Sequence, residues 1–212
     1  MTHIDYTLYL VTDRSVMSAK SLEQAVEQAI QGGCTVVQLR EKYASSREFF
    51  ETAQRVKQIT DSYHIPLIIN DRTDICLAVN AAGIHIGQQD LPAKIVSSMV
   101  GPDKIIGVSA ATLSEAIQAE QDGADYLGVG AMFATSTKTN TRPVTIERLT
   151  QIKQAVQIPV VAIGGIQSSN VTTLTDTGID GIAVVSAILA QENITHAAEQ
   201  LKACFTGAGH EV

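Results

Sequence analysis

The chain is short of aromatic residues, of cysteine and of positive charge, and each shortage closes off a class of protein. Aromatics make up 4% of the 212 residues and tryptophan is absent, so the core must be built mainly from Val, Ile, Leu and Ala. The cysteines Cys34, Cys76 and Cys204 are odd in number and show neither CxxC nor Cys/His spacing. That pattern argues against a disulfide framework and a zinc site and reads as three reduced, mostly buried thiols. Fifteen Lys and Arg against 22 Asp and Glu leave a net charge of −7. The basic surface that nucleic acid and anionic membranes require is missing, so neither is expected as a partner. An anionic ligand must then be held by local groups. The opening residues Met1 to Asp5 form no basic leader, and no apolar run is long enough to span a bilayer. A cytoplasmic location is the expectation.

What is present is a regular alternation of short apolar runs and longer amphipathic segments. The runs are Leu8 to Thr12, Val36 to Arg40, Leu67 to Asn70, Gly83 to Gly87, Ile105 to Ser109, Tyr126 to Val129, Val160 to Ile163 and Gly181 to Val185. Buried parallel strands need continuous apolar sequence, because helices cover both faces of the sheet. Between the runs, Leu22, Ala25, Val26, Ala29 and Ile30 share one helical face, as do Phe49, Phe50, Ala53, Val56 and Ile59. Thr112 to Glu115 fits a capping box ahead of a helix over Ser114 to Gln121. Gly33, Gly83, Gly123 and Gly178 each precede a strand and read as left-handed helix ends. Pro66 and Pro159 stand just before the third and seventh runs, where they break no ladder.

No composition shift divides the chain, so residues 1–212 are expected to form one domain. The fold class is α/β, and the choice lies between a doubly wound open sheet and a closed (β/α)8 TIM barrel. Eight runs of similar length with a single C-terminal helical segment, Ile194 to Cys204, favour the barrel.

Reactive groups of such barrels sit at the C-terminal ends of the strands, and the polar residues gather there. Period two along strand two points Gln38, Arg40 and Lys42 one way and Leu39 and Glu41 the other. Two cations on one side suit a diphosphate, although a solvated loop neutralised by Glu41 would look the same. Asp71 and Asp90 follow strands three and four. Hard oxygens on neighbouring strand ends suit Mg2+. The competing reading pairs Asp71 with Arg72 or Arg40 and makes Asp90 the cap of the helix after Pro92. Gly164-Gly165 and Val185-Ser186 end strands seven and eight, where barrels often hold phosphate through backbone N–H groups. Thr135 to Lys138 adds hydroxyls and a cation in a long polar loop. His85, flanked by apolar residues inside strand four, reads as a hydrogen-bonded core histidine. Acyl-enzyme and P-loop motifs are absent.

Seven segments in order, Leu8 to Arg14, Val37 to Lys42, Leu67 to Arg72, Gly83 to Gln88 with Asp90, Gly107 to Ser109, Thr135 to Lys138 and Val161 to Ile166, resemble thiamine phosphate synthase. The resemblance covers nearly the whole chain. It implies that 4-amino-2-methyl-5-(diphosphooxymethyl)pyrimidine is joined to 4-methyl-5-(2-phosphooxyethyl)thiazole, giving thiamine phosphate and diphosphate with Mg2+ as cofactor. It places Gln38, Leu39, Arg40, Glu41, Lys42, Asn70, Ser109 and Lys138 at the pyrimidine diphosphate and Asp71 and Asp90 at the metal. Thr135, Ser136, Thr137, Gly165, Val185 and Ser186 would hold the thiazole phosphate, and Arg40, Lys42, Ser109 and Lys138 would be catalytic. Gly130 to Thr135 departs from the family pattern by losing two prolines, which leaves that loop less restrained. A thiazole tautomerase on the same fold and a non-catalytic phosphometabolite-binding barrel are the alternatives. Both substrates are small molecules, and the oligomeric state is open, a homo-oligomer included.

Overall fold

The computed structural model describes residues 4–135 and 142–207. Within them eight parallel strands close in sequence order, β1 (Leu8–Val11), β2 (Val36–Leu39), β3 (Leu67–Asn70), β4 (Gly83–Ile86), β5 (Ile105–Ala110), β6 (Tyr126–Val129), β7 (Val160–Ile163) and β8 (Gly181–Val184). The register Tyr9 to Ala183 between β1 and β8 completes the ring. The open-sheet alternative is thereby excluded, and each strand lies within about a residue of its apolar run.

The helices around the ring are α1 (Leu22–Gln31), α2 (Ser46–Ser62), α3 (Thr73–Ala78), α4 (Ala93–Val100), α5 (Leu113–Gln121), α6 (Ile146–Ala155), α7 (Ser186–Leu189) and α8 (Ile194–Thr206). Their starts follow from side chains that satisfy the orphan N–H groups of a first turn. Ser21 accepts from the Gln24 N–H. Thr112 and Glu115 form the capping box read from sequence, and Ser45 with Glu48 forms a second. After β7 a 3-10 segment, Val171–Thr177, replaces an α-helix. Its Thr173, Thr175 and Thr177 hydroxyls donate to carbonyls three residues back, and such local bonds compete with α-helical geometry.

Gly33, Gly123 and Gly178 adopt the expected positive φ of 97°, 89° and 75°. Gly83 does not. It opens β4, where an added Cβ would lie 2.2 Å from the Ile105 carbonyl oxygen, so its lack of a side chain serves close strand packing. The left-handed residue after α3 is instead Asn80, at φ 52°. The prolines act as expected, with the Pro66 and Pro159 carbonyls accepting from Val37 and Leu127 on the neighbouring strands.

Alternation along the strands separates two shells. Leu8, Leu10, Val37, Leu39, Ile84, Ile86, Leu127 and Val129 pack outward with the helices, while Tyr9, Val11, Val36, Ile68, Tyr126, Val161 and Ala183 pack inside the ring. Cys34 and Cys76 belong to the outer shell, and burial pushes their thiols up to about 12 and about 11. Such thiols stay protonated and unreactive. All three cysteines are free.

Candidate active site

The strand-two row splits as period two requires. Gln38 points into the ring and is buried, Leu39 lies in the outer shell, and Glu41 turns away to pair with Arg14 at 2.6 Å. Glu41 therefore does not neutralise its neighbours. Arg40 is held by Asp13, Nη1 to Oδ2 at 3.2 Å, while its backbone N–H donates to the Thr12 hydroxyl. Lys42 pairs with Asp71 across to the end of β3. Asp13 also receives the Ser15 N–H, which fixes the carboxylate that aims Arg40.

Asp71 and Asp90 come together at the rim. The Asp71 N–H donates to the His85 carbonyl at 2.9 Å, and the residue sits at φ 61°, a left-handed conformation that a non-glycine residue adopts at a cost. The Asp90 carboxylate accepts from the Gly87 N–H at 2.7 Å. Burial raises the Asp90 carboxyl above its usual range, and Asp71 raises it further through charge and hydrogen bonding. Two anions forced into proximity are relieved by a cation. The alternatives read from sequence do not hold, since Arg72 pairs with Asp74, Arg40 with Asp13, and the N-cap of the helix after Asp90 is Pro92, with no side-chain cap. Among the described residues no three His, Cys, Asp or Glu side chains gather. Two carboxylates without further protein ligands fit Mg2+, which keeps water and substrate oxygens in its shell.

Asn70 ends β3 in register with His85 on β4. His85 is a hydrogen-bonded histidine as expected, and its partners form a row. The Gln38 amide donates to the Tyr9 hydroxyl at 2.9 Å, Tyr9 meets the Tyr126 hydroxyl at 2.7 Å, and Tyr126 meets His85 Nδ1 at 2.9 Å. His85 Nε2 then reaches the Ser109 hydroxyl at 2.9 Å. Burial keeps both tyrosines well above their ordinary range, so they remain hydroxyls. Tyr9, Tyr126 and Asp13 escaped the sequence reading as site residues. The signal was present in two tyrosines at inward positions of strands in a chain with so few aromatics.

On the opposite side, Gly164 and Gly165 have φ of 102° and 64°, and a Cβ on Gly165 would meet the Ala134 carbonyl oxygen at 2.4 Å. The β7 loop thus lies tight against the β6 loop. That β6 loop is held by main-chain bonds from Ala131 to Arg142, Met132 to Ile163 and Phe133 to Gly164. Ala131 uses an N–H that a proline would lack. The segment from Ala131 to Phe133 is tied down by these bonds despite the missing prolines. Val185 precedes α7 and Ser186 begins it. Beside Ser186 lies an open cavity of about 450 Å3 whose lining includes Gln167, Ser168 and Ser169, an amide and two hydroxyls that sequence reading passed over. Ser136, Thr137 and Lys138 lie outside the described residues.

The thiamine monophosphate synthase family model matches residues 8–188. A thiamine-phosphate synthase of Ruminiclostridium cellulolyticum is 61% identical over 95% of this chain and 96% of its own length. One from Clostridium tetani is 58% identical over 96% and 97%. Among solved structures, a thiamine phosphate pyrophosphorylase from Pyrococcus furiosus superposes with a TM-score of 0.88 at 38% identity, covering 97% of this chain and 98% of that one. A geranylgeranylglyceryl phosphate synthase from Thermoplasma acidophilum, 17% identical at a TM-score of 0.73, shares the fold. With the family model spanning most of the barrel and relatives matching it end to end, the chain belongs to the thiamine monophosphate synthase family of transferases.

Proposed function

We propose that the chain joins 4-amino-2-methyl-5-(diphosphooxymethyl)pyrimidine to 4-methyl-5-(2-phosphooxyethyl)thiazole with Mg2+, forming thiamine phosphate and diphosphate. The observation that carries this reading is the meeting of Asp71 and Asp90 at adjoining strand ends, with Lys42 on Asp71 and Arg40 nearby on the same loop.

The reaction breaks the C–O bond between the pyrimidine methylene and diphosphate and forms a C–N bond from the thiazole nitrogen lone pair. The electron pair of the broken bond leaves with diphosphate, and no proton moves. This chain accordingly needs to stabilise a leaving anion and align a nucleophile. Mg2+ at Asp71 and Asp90 would supply positive charge to the diphosphate oxygens. Arg40 offers paired planar donors and Lys42 a compact ammonium to the same oxygens. Asp13 and Asp71 hold these cations in place beforehand, which lowers the ordering cost when phosphate arrives. Gln38, Asn70 and Ser109 line the floor on which the pyrimidine rests. The thiazole phosphate is assigned to Thr135, Ser136, Thr137, Gly165, Val185 and Ser186, with Lys138 reaching the diphosphate.

Purified protein incubated with both heterocycles and Mg2+ should form thiamine phosphate, detected by mass spectrometry. Absence of product across Mg2+ and Mn2+ concentrations would reject the assignment. Isomerisation of the thiazole without coupling would establish the tautomerase alternative instead.

A further inference from the structure

The inward face of the barrel contains a continuous polar row that spans five strands and joins two residues at the pyrimidine site. Its order is Gln38 on β2, Tyr9 on β1, Tyr126 on β6, His85 on β4 and Ser109 on β5. Every link is 2.7 to 2.9 Å long, well within hydrogen-bond range. The fold makes room for it. A Cβ on Gly107 would lie 2.1 Å from Tyr126 Cζ, and one on Gly128 would lie 2.9 Å from His85 Cε1. Two inward glycines on β5 and β6 therefore clear space for the tyrosine and the histidine. Aromatic contact adds to the fit, with Tyr9 and Tyr126 ring centroids 5.9 Å apart and His85 5.5 Å from Tyr126.

Such a row has a direction, because each hydroxyl owns one hydrogen. The Gln38 N–H is given to Tyr9, so the Tyr9 hydrogen must go to Tyr126. The Tyr126 hydrogen then goes to Nδ1 of His85, which must offer a lone pair. We propose that this row fixes His85 as the Nε2–H tautomer and thereby makes Ser109 a donor toward the ligand, so that the floor selects an aminopyrimidine over a pyrimidinone. The Ser109 oxygen receives the His85 hydrogen, which leaves the Ser109 hydrogen for the ligand. Gln38 keeps its oxygen and its second N–H for the ligand, so it can accept as well as donate. An aminopyrimidine has a lone pair on each ring nitrogen, so either one accepts the Ser109 hydrogen. Its 4-oxo counterpart carries a hydrogen on one ring nitrogen, and an N–H there opposes the Ser109 donor. The elevated tyrosine pKa values support the count, since neither phenol gives up its hydrogen at neutral pH. Tyr9, Tyr126 and His85 are positioning residues here, acting through Gln38 and Ser109.

The tautomer half stands by itself, and the selectivity half rests on the proposed transferase activity. Two measurements separate them. In protein labelled with 15N in its histidine rings, long-range 1H–15N correlation reads the tautomer of His85, whose signals are identified by their loss in His85→Gln. A proton on Nε2 is expected. A proton on Nδ1 would mean the whole row runs the other way and would overturn the proposal. In turnover assays, Tyr126→Phe keeps the ring and removes the hydroxyl that makes two of the links. It should raise the KM for the pyrimidine diphosphate about five-fold, the scale of weakening one hydrogen bond to the substrate, leave the thiazole KM unchanged, and narrow the preference over the 4-oxo counterpart. A folded variant with unchanged KM values and unchanged preference would overturn the selectivity role. Should the variant fail to fold, the wild-type preference decides, since equal use of amino and oxo substrates contradicts the proposal. No turnover with either pyrimidine would reject the activity, and the tautomer would still decide the row.

Discussion

The same eight strands carry two unlike populations of side chains. Outward, Leu8, Leu10, Leu39, Ile84, Ile86 and Leu127 are almost wholly buried against helices and carry no polar atoms beyond the backbone. Inward, the equivalent layer holds Gln38, His85, Ser109, Tyr9 and Tyr126, each with a named partner across the ring. The outer shell stabilises through area, to which many residue choices contribute similarly. The inner shell works through direction, where one changed atom breaks a row. Stability and chemistry are thus separated by the pleat of a single sheet.

The largest break in this comparison is expected at the rim above the inner shell. Asp90→Asn should lower thiamine phosphate turnover on the order of 100-fold, the scale for losing a key electrostatic group, with an unchanged thermal midpoint. Turnover and melting measured on one preparation check it, and a parallel fall in both would show that Asp90 is structural. In the outer shell the pattern inverts. Leu127 is fully buried, and Leu127→Ala should cost about 2 to 5 kcal/mol in urea unfolding while activity per folded molecule persists.

A smaller effect sharpens the contrast through pH. Tyr9 and Tyr126 have pKa values raised above the ordinary 10.0 by burial in the folded protein. The unfolded chain loses those phenolic protons first, so their contribution is complete below that value and is lost as pH rises toward the folded pKa. Unfolding free energy should begin to fall near pH 10, and Tyr126→Phe should make that fall shallower. An identical slope in the variant would count against it. The smallest effect is expected outside both shells. Lys57 pairs with Asp61 one turn along α2 at 2.6 Å, and Lys57→Met should shift stability by no more than about 0.5 kcal/mol. A larger shift in urea unfolding would show that the helix surface matters more than either shell suggests.

Much of the fold was legible because each apolar run is a strand and most runs are bounded by a glycine, a proline or a capping hydroxyl. Ser21, Thr112 and the two prolines act locally, and local chemistry can be read along a chain. Gly83 misled because a glycine required by packing against Ile105 looks, in sequence, like one required by a left-handed turn. Asp71 and Asp90 were visible as strand-end carboxylates, yet their meeting needed the closed ring. The row through Tyr9, Tyr126 and His85 was less accessible still, since it joins β1 to β6 across the barrel and no spacing along the chain encodes that neighbourhood. Asp13 was hidden in the same way, as its partner Arg40 lies 27 positions away.

The rim carboxylates can be tested without catalysis. Mn2+ binding followed by electron paramagnetic resonance, with inorganic diphosphate present, should show a protein-bound ion in the wild type and weakened binding in Asp71→Asn and Asp90→Asn. Equal Mn2+ binding by all three proteins would contradict a cation held between Asp71 and Asp90.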